Sequence, residues 1–598
     1  MVRTFFITMG LLAFGLLRGG AATNAPFSIQ QRDGISWLTK PNGERLFSLG
    51  VCVVNQGASR EDFCATNPGY AAFQHYENSN HWAKATLKRL ESWKFTTIGG
   101  WSDYAALRQC RDADVAFIPV LAVGMSCGAP WLDMWDTNLI AQMHQVAREQ
   151  ILPLRDEPRL LGYYSDNEMG WWNATLFKMT LEQAPASGQR QRLMRLLRET
   201  YHNNWSELLK DFETEGAGSF EELDRGGMLY LRPGSEGIRV YRRFLGLMAE
   251  RYYSLVREII RTYDSRGLVL GDRYQSFYYP EVARASAKPM DVVSMNLNAG
   301  WNDGTFPRCY LDSLHALSGR PILVSEFYMS AEQNSTGNKN LTSTFPVVTT
   351  QKERAAGFRN TVEALAHLPY IVGADWFQYY DEPMHGRDDG EDYNFGLVDV
   401  QDRPYEALTA AAQSLDLLAI KKAPRTARPD ASLGVPPAPA DPLGDFTIRV
   451  ALKDWDRERG FVKPTSKFPI ADLYVCWDKN SIYLGVYAQD FAEDAYYRNK
   501  TIPVEDRAQW IVSVTGNKYP IHMRLGPGAA TCDESAVHFA NLAGVYMNTR
   551  NIAAMELPAK LFGKTEFKAG DTIEFGSTFF THARADRVEW KGKFTLRD

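Results

Sequence analysis

LLGYYSDNEMGWW (160–172) is the stretch on which the reading of the fold turns. It begins as a short apolar run and ends abruptly in Asp166, Asn167 and Glu168, with Trp171 and Trp172 close behind. An apolar run without polar alternation fits a strand buried on both faces, as in parallel sheets. Polar residues gathered at its C-terminal end lie where parallel α/β folds build their sites. Seven other runs have the same character: FSLGVCVV (47–54), FTTIGGWS (95–102), FIPVLAV (117–123), LVLGDRY (268–274), VVSMNLN (292–298), PILVSEF (321–327) and VGADWFQY (372–379). Between them, 81–94, 139–152 and 352–368 carry apolar residues at helical spacing, and NSNHW offers Asn or Ser caps to the first. Eight strands alternating with helices predict an α/β chain built on a (β/α)8 TIM barrel. A doubly wound sheet would carry a Gly-rich phosphate turn after its first strand, and VCVVNQG is a poor match to one.

One connection is far too long for a single barrel helix. Residues 169–267 are helical in pattern and end in GIRVYRRFLGLMAERYYSLVREIIRTY (237–263), so they predict a helical insertion after strand four, over the face where a barrel builds its site. At 421–445 the sequence becomes KKAPRTARPDASLGVPPAPADPLGD, which reads as a semi-rigid Pro/Ala linker. Beyond it FTIRVAL, ADLYVCWD, SIYLGVYAQD, QWIVSVT, TIEFGSTFF and VEWKGKFTL predict an all-β sandwich over 446–598. At the other end Arg3, the apolar run Phe5–Leu17 and the small residues that follow predict a signal peptide over 1–25 and export to the periplasm or cell exterior. The expected division is therefore leader 1–25, barrel 26–420, linker 421–445 and sandwich 446–598.

A chain of 598 residues exceeds one compact core. Its net charge of −5, without a sustained basic run, argues against a nucleic-acid partner. The seven cysteines show no CxxC spacing, which excludes a zinc site of that type and a disulfide framework; pairing of Cys52 with Cys64 and of Cys110 with Cys127 stays open. The 15 Trp, 28 Tyr and 31 Phe suit sugar rings and large cores equally.

Two of the runs end in a glutamate: strand four in Glu168, strand seven in Glu326. A pair of facing carboxyl groups is what glycoside hydrolysis requires, one as acid and base, the other as nucleophile or activator of water. The acid needs a raised pKa, which apolar walls and a nearby negative charge provide. Tyr163, Tyr164, Trp171 and Trp172 are candidates for such walls.

Asn-Glu ending strand four and Glu ending strand seven resemble glycoside hydrolase clan A. The pieces NGERLFSLGVCVV, LLGYYSDNEMGWW, GDRYQSFYYPEVARA, DVVSMNLN and PILVSEFYMSA are most similar to the family 50 β-agarases, over roughly 35–415. The resemblance implies a retaining hydrolase of a galactan-type polysaccharide or oligosaccharide, agarose above all, working without a cofactor. It implies Glu168 as acid/base, Glu326 as nucleophile, Asn167 on the sugar 2-hydroxyl and Trp376 as the floor of a subsite. Two positions depart from the clan's pattern: GGWS stands where many members carry an Arg at the end of strand two, and Asn298 stands near the place of a strand-six Tyr. The stretch ADLYVCWDKNSIYLGVYAQD with VEDRAQWIVSV resembles carbohydrate-binding module family 9, with Trp477 and Trp510 as either sugar platforms or core.

Other strand-end residues admit two readings. Asn55 contacts sugar or caps a loop, and Trp101 and Trp301 form subsites or pack. Tyr274 and Asn298 are further candidate substrate contacts, Asp272 and Arg273 read first as forming or joining an ion pair near the barrel mouth and second as substrate contacts, and Asp166 as a supporting carboxylate. The acidic stretch 378–399 reads as a substrate loop, a calcium site or a solvated loop; no metal ligand is assigned from it. The rival functions are another clan A hydrolase such as a β-galactosidase, and a non-catalytic glycan-binding protein on the same scaffold.

Overall fold

The computed structural model describes residues 25–275, 278–297, 301–340, 345–423, 434–447, 461–466, 468–489, 493–526, 529–543, 550–583 and 586–598. The leader expected at 1–25, save Ala25, lies outside the described residues, as do Asn298 and most of FTIRVAL.

The chain is a mixed α/β protein with several sheets. Eight parallel strands fall in the eight expected runs: β1 (Ser48–Val51), β2 (Thr97–Ile98), β3 (Ala116–Phe117), β4 (Gly162–Tyr163), β5 (Leu268–Val269), β6 (Val293–Leu297), β7 (Ile322–Phe327) and β8 (Ile371–Trp376). Six form one sheet in the order β6-β7-β8-β1-β2-β3, and β4 pairs with β5. Single parallel bridges join the two sets, Phe117 to Leu160 and Val120 to Tyr164 on one side and Tyr274 to Met295 on the other. Leu49, Val51, Ile98, Phe117, Ile322, Val324 and Ile371 are fully buried, which is why these strands read as unbroken apolar runs.

The helices begin where the sequence caps them. Asn78 accepts from the His81 N–H at the start of Ser79–Ser92, Asp136 opens Thr137–Ile151, and Thr350 with Glu353 forms a capping box on Gln351–His367. Between β4 and β5 run four short helices, the hairpin Phe212–Glu215 with Met228–Leu231, and the long helix Ile238–Tyr263. That helix buries Tyr241, Phe244, Met248, Tyr252, Val256 and Ile259, a stripe at helical spacing. An antiparallel sheet of Ser28–Arg32, Ile35–Thr39 and Arg45–Leu46, which the sequence reading did not contain, packs Leu38 and Leu46 against Leu161, Leu268 and Leu323.

The C-terminal region has two five-stranded antiparallel sheets around a common core that includes Leu473, Val475, Trp510, Phe575 and Trp590. Residues 434–438, read as linker, are an edge of this region instead. The Val435 N–H donates to the Thr595 carbonyl at 2.8 Å, and the Trp477 N–H to the Pro436 carbonyl at 3.1 Å. Proline has no N–H but still accepts, so a Pro-rich run can line a sheet edge while lacking every strand signal. Phe446, read as the start of a strand, lies in the helix Pro442–Thr447.

The two regions share apolar surface. Trp301 is fully buried against Phe446, Tyr474 and Tyr487, so it packs the junction rather than a sugar. Asp472 accepts from the Arg308 and Cys309 N–H groups at 2.6 and 3.1 Å, and Asp506 from the Gly234 N–H at 3.0 Å. Trp477 and Trp510 turn their indole N–H groups inward, to the Arg597 carbonyl and the Ser577 hydroxyl, and both belong to the core. All seven cysteines are free thiols.

Candidate active site

At the C-terminal ends of the strands lies a cavity of about 790 Å³, lined in part by Trp101, Asn167, Glu168, Glu326, Tyr328 and Tyr380. Glu326 leaves the end of β7 and is buried, while Glu168 stands half-exposed beyond β4.

The two carboxylates are held differently. Arg273 and the Tyr328 hydroxyl both donate to Glu326, one to each oxygen. Burial pushes the Glu326 carboxyl up; Arg273 draws it down, the negative charge of Glu168 pushes it up again, and Tyr328 lowers it, with a net shift upward. Glu168 takes its hydrogen bonds from neutral amides, Asn296 Nδ2 at 2.9 Å and Gln275 Nε2 at 3.1 Å. The Ser325 hydroxyl donates to Asn296 Oδ1 at 2.7 Å, which leaves the amide N–H of Asn296 for Glu168. Among the described residues Gln275 Oε1 has no partner, so a turn of that amide offers an acceptor when Glu168 carries a proton.

Arg273 is the hub. Fully buried, it donates to Glu326, to Asn167 Oδ1 at 2.8 Å and to the Ser325 carbonyl at 3.0 Å, and its guanidinium lies 5.1 Å from the Tyr164 ring centre. It reaches the site from the end of β5, whereas the end of β2 carries GGWS. Arg273 joins an ion pair at the strand ends, as the sequence suggested, but with Glu326; Asp272 joins none of it and accepts from Trp171 Nε1 and the Tyr253 hydroxyl, both at 2.8 Å. The tyrosine hydroxyl on Glu326 comes from Tyr328, two residues further along the chain.

Of the other residues singled out in the sequence, Trp101 is 40% exposed and lines the cavity. Asn55 stands behind the wall, donating to the Trp101 carbonyl at 3.0 Å and accepting from the Tyr380 hydroxyl at 2.7 Å. Trp376 is fully buried, its indole N–H on the Phe395 carbonyl at 2.8 Å and its ring against Phe327 and Phe358, so it forms no subsite floor. Tyr274 is also internal, its hydroxyl bonded to that of Tyr253 at 2.8 Å. Asp166 is buried under the loop after β3, accepting from the Gly124 and Met125 N–H groups and from the Tyr252 hydroxyl; burial pushes it up to about 7. Tyr163, Tyr164 and Trp171 are buried beneath the site and line no wall. The apolar lining comes instead from Tyr70, Phe345 and Phe377, which carried no periodic signal.

The acidic stretch after β8 forms one wall. Its carboxylates converge on Arg387, with Glu382 at 3.5 Å, Glu391 at 3.2 Å and Asp389 in direct contact. Burial pushes Glu382 and Glu391 upward and Arg387 draws both down. This loop surrounds an arginine and faces the cavity.

The fold and pocket define a mixed α/β protein with a paired-carboxylate cavity at its strand ends. No family model matches the chain. The sequence is similar to Beta-agarase B of Vibrio sp. (strain JT0107), 25% identical over 358 residues, and to Beta-agarase A of the same organism, 26% over 370 residues. Each match covers 56% of this chain and 36% of the relative, so the chain spans about a third of those proteins' length. Among solved structures, the fold is like that of an exo-beta-agarase, with a TM-score of 0.56, 22% identity and coverage of 67% of this chain and 66% of that one. It is equally like the agarase AgWH50C, with a TM-score of 0.56, 21% identity and coverage of 67% and 66%.

Proposed function

We propose that this chain is a β-agarase-type glycoside hydrolase that cleaves β-galactosidic bonds of an agarose-type galactan by retaining double displacement. In this reading the eight parallel strands form a (β/α)8 barrel of the clan A kind, related to family 50, and the protein acts after export. The observation that carries it is the pair Glu168 and Glu326 in one cavity, the first on neutral amides, the second on a cation and a phenol.

That asymmetry assigns the roles. Arg273 and Tyr328 favour the ionised form of Glu326, as a nucleophile needs. Glu326 attacks the anomeric carbon while Glu168 gives its proton to the departing oxygen. Once Glu326 is esterified, the Glu168 carboxylate takes a proton from the incoming water, whose oxygen attacks the anomeric carbon and releases Glu326 as a carboxylate. Asn167, held by Arg273, presents its amide N–H groups to the cavity for a sugar hydroxyl.

The test uses neutral agarose oligosaccharides with wild-type protein, Glu168→Gln and Glu326→Gln. Wild type releases a product whose anomeric configuration, followed by NMR at early times, is β, and each variant loses at least about a thousandfold in kcat. Undiminished cleavage by either variant, or an initial α product, rejects the mechanism.

A further inference from the structure

Glu493 belongs to the C-terminal β region, yet its carboxylate acts across the junction. One oxygen accepts from the Ala174 N–H at 3.0 Å; the other accepts from the Thr175 N–H at 3.0 Å and the Thr175 hydroxyl at 3.2 Å. These donors are the orphan N–H groups of the first turn of helix Asn173–Glu182, whose N-cap position is held by Trp172, a residue with no capping acceptor. Glu493 is only 6% exposed, so it meets this need from deep inside the junction.

The helix start matters because Glu168 is four residues upstream of Trp172. The intervening backbone is left-handed at Glu168 (φ 46°), Gly170 (φ 80°) and Trp171 (φ 51°). Non-glycine residues in that region cost on the order of 1–3 kcal/mol each and persist only where the surroundings hold them. Asp272 holds the upstream end, accepting the Glu168 N–H on its carbonyl at 3.0 Å and the Trp171 indole N–H on its carboxylate at 2.8 Å. Glu493 holds the downstream end. An unsatisfied pair of N–H groups at this buried position would let the first turn unwind and the link relax.

We infer that Glu493 is a positioning residue for Glu168: the C-terminal β region completes the site by clamping the turn that fixes the acid/base carboxyl. This rests on the acid/base role proposed for Glu168.

The test compares wild type, the isosteric Glu493→Gln and Glu493→Ala on a neutral β-galactan oligosaccharide and on its dinitrophenyl glycoside. Departure of dinitrophenolate needs no proton, so kcat/KM on that substrate is blind to a displaced acid, whereas the natural leaving group depends on it. For both variants kcat/KM on the oligosaccharide should fall roughly ten- to hundredfold, the loss a misplacement of about 1 Å brings, and stay unchanged on the dinitrophenyl glycoside. Azide, which attacks without a general base, should raise the variants' kcat on the activated substrate. Equal losses on both substrates, or no loss on either, overturn the inference. A wild type that cleaves neither substrate rejects the hydrolase reading instead. Hydrogen exchange then decides the clamp on its own: in both variants amides 169–175 should exchange faster while 322–327 keep their protection, and unchanged exchange at 169–175 overturns it.

Discussion

Replacing Asp375 by Asn gives a measurement that needs no substrate. The carboxyl lies in β8 at 0% exposure, with the Tyr164 hydroxyl donating to one oxygen at 2.8 Å and, among the described residues, no partner on the other. It is wedged against glycines: a Cβ added to Gly50 would stand 2.0 Å from Oδ1. Burial pushes the group from its ordinary 3.8 up to about 7, against the pull of Tyr164 and Arg273 and with a further push from Glu326. The unfolded chain therefore gives up this proton near its ordinary value, and the folded chain keeps it until about 7. Between those limits the folded state binds more protons than the unfolded one, so stability falls as pH rises through the window. A gap of about three pH units at 1.36 kcal/mol each makes the loss roughly 4 kcal/mol. Asparagine has the same shape and no proton to lose, so it removes this slope and leaves only a constant offset from its amide. The unfolding free energy of Asp375→Asn minus that of wild type should rise by roughly 3 kcal/mol from pH 4 to pH 7 and level off only above the folded value, near the full 4 kcal/mol. Urea titrations of both proteins at five pH values across that range check it. A difference that stays constant with pH refutes the assignment.

Arg273→Met leaves Glu326 buried without its cation, which should cost about 3–5 kcal/mol of stability and move the acid limb of kcat/KM to higher pH; an unmoved limb counts against Arg273 as the counter-ion. Tyr328→Phe keeps the ring but takes a donor from the ionised form of Glu326, so the same limb should rise with little change in Tm. Trp101→Ala should raise KM and leave Tm nearly unchanged, while Trp376→Ala should cost about 3–5 kcal/mol through its cavity. Thermal melts beside Michaelis curves separate the two, and the reverse pattern would return Trp376 to the sugar.

The eight strands and the two glutamates were legible because both signals are local: an apolar run buried on two faces, and a charged residue directly after it. The insertion was legible from length. What escaped depends on contacts between distant parts. Which strand delivers the arginine to Glu326 depends on side-chain reach across the site, and the adjacent Asp272 and Arg273 read as forming or joining an ion pair although the two point to different partners. Asn296, which the sequence reading did not single out, is the strand-six residue that meets Glu168, and a register shift after Met295 hides from the pattern which side chains reach the strand end. Trp376 ends a strand as a sugar platform would, and only the packing of Phe327 and Phe358 shows that it turns inward. Glu493 had no sequence signal, since the turn it caps lies 318 residues away from it at Thr175.

The left-handed backbone at Glu168 recurs at the cavity, at Val53 and Trp101 in its wall and at Arg273 behind Glu326. Val53 is β-branched, the side-chain type least suited to that conformation, and it lines the pocket. Glycine at Glu168 or Trp101 would relax the chain, yet it would delete a side chain that lines the cavity; at Arg273 it would also strand the buried Glu326 without its cation. Random searches for heat-tolerant variants should therefore be drawn to this rim, and the variants they recover there should endure longer and cleave less.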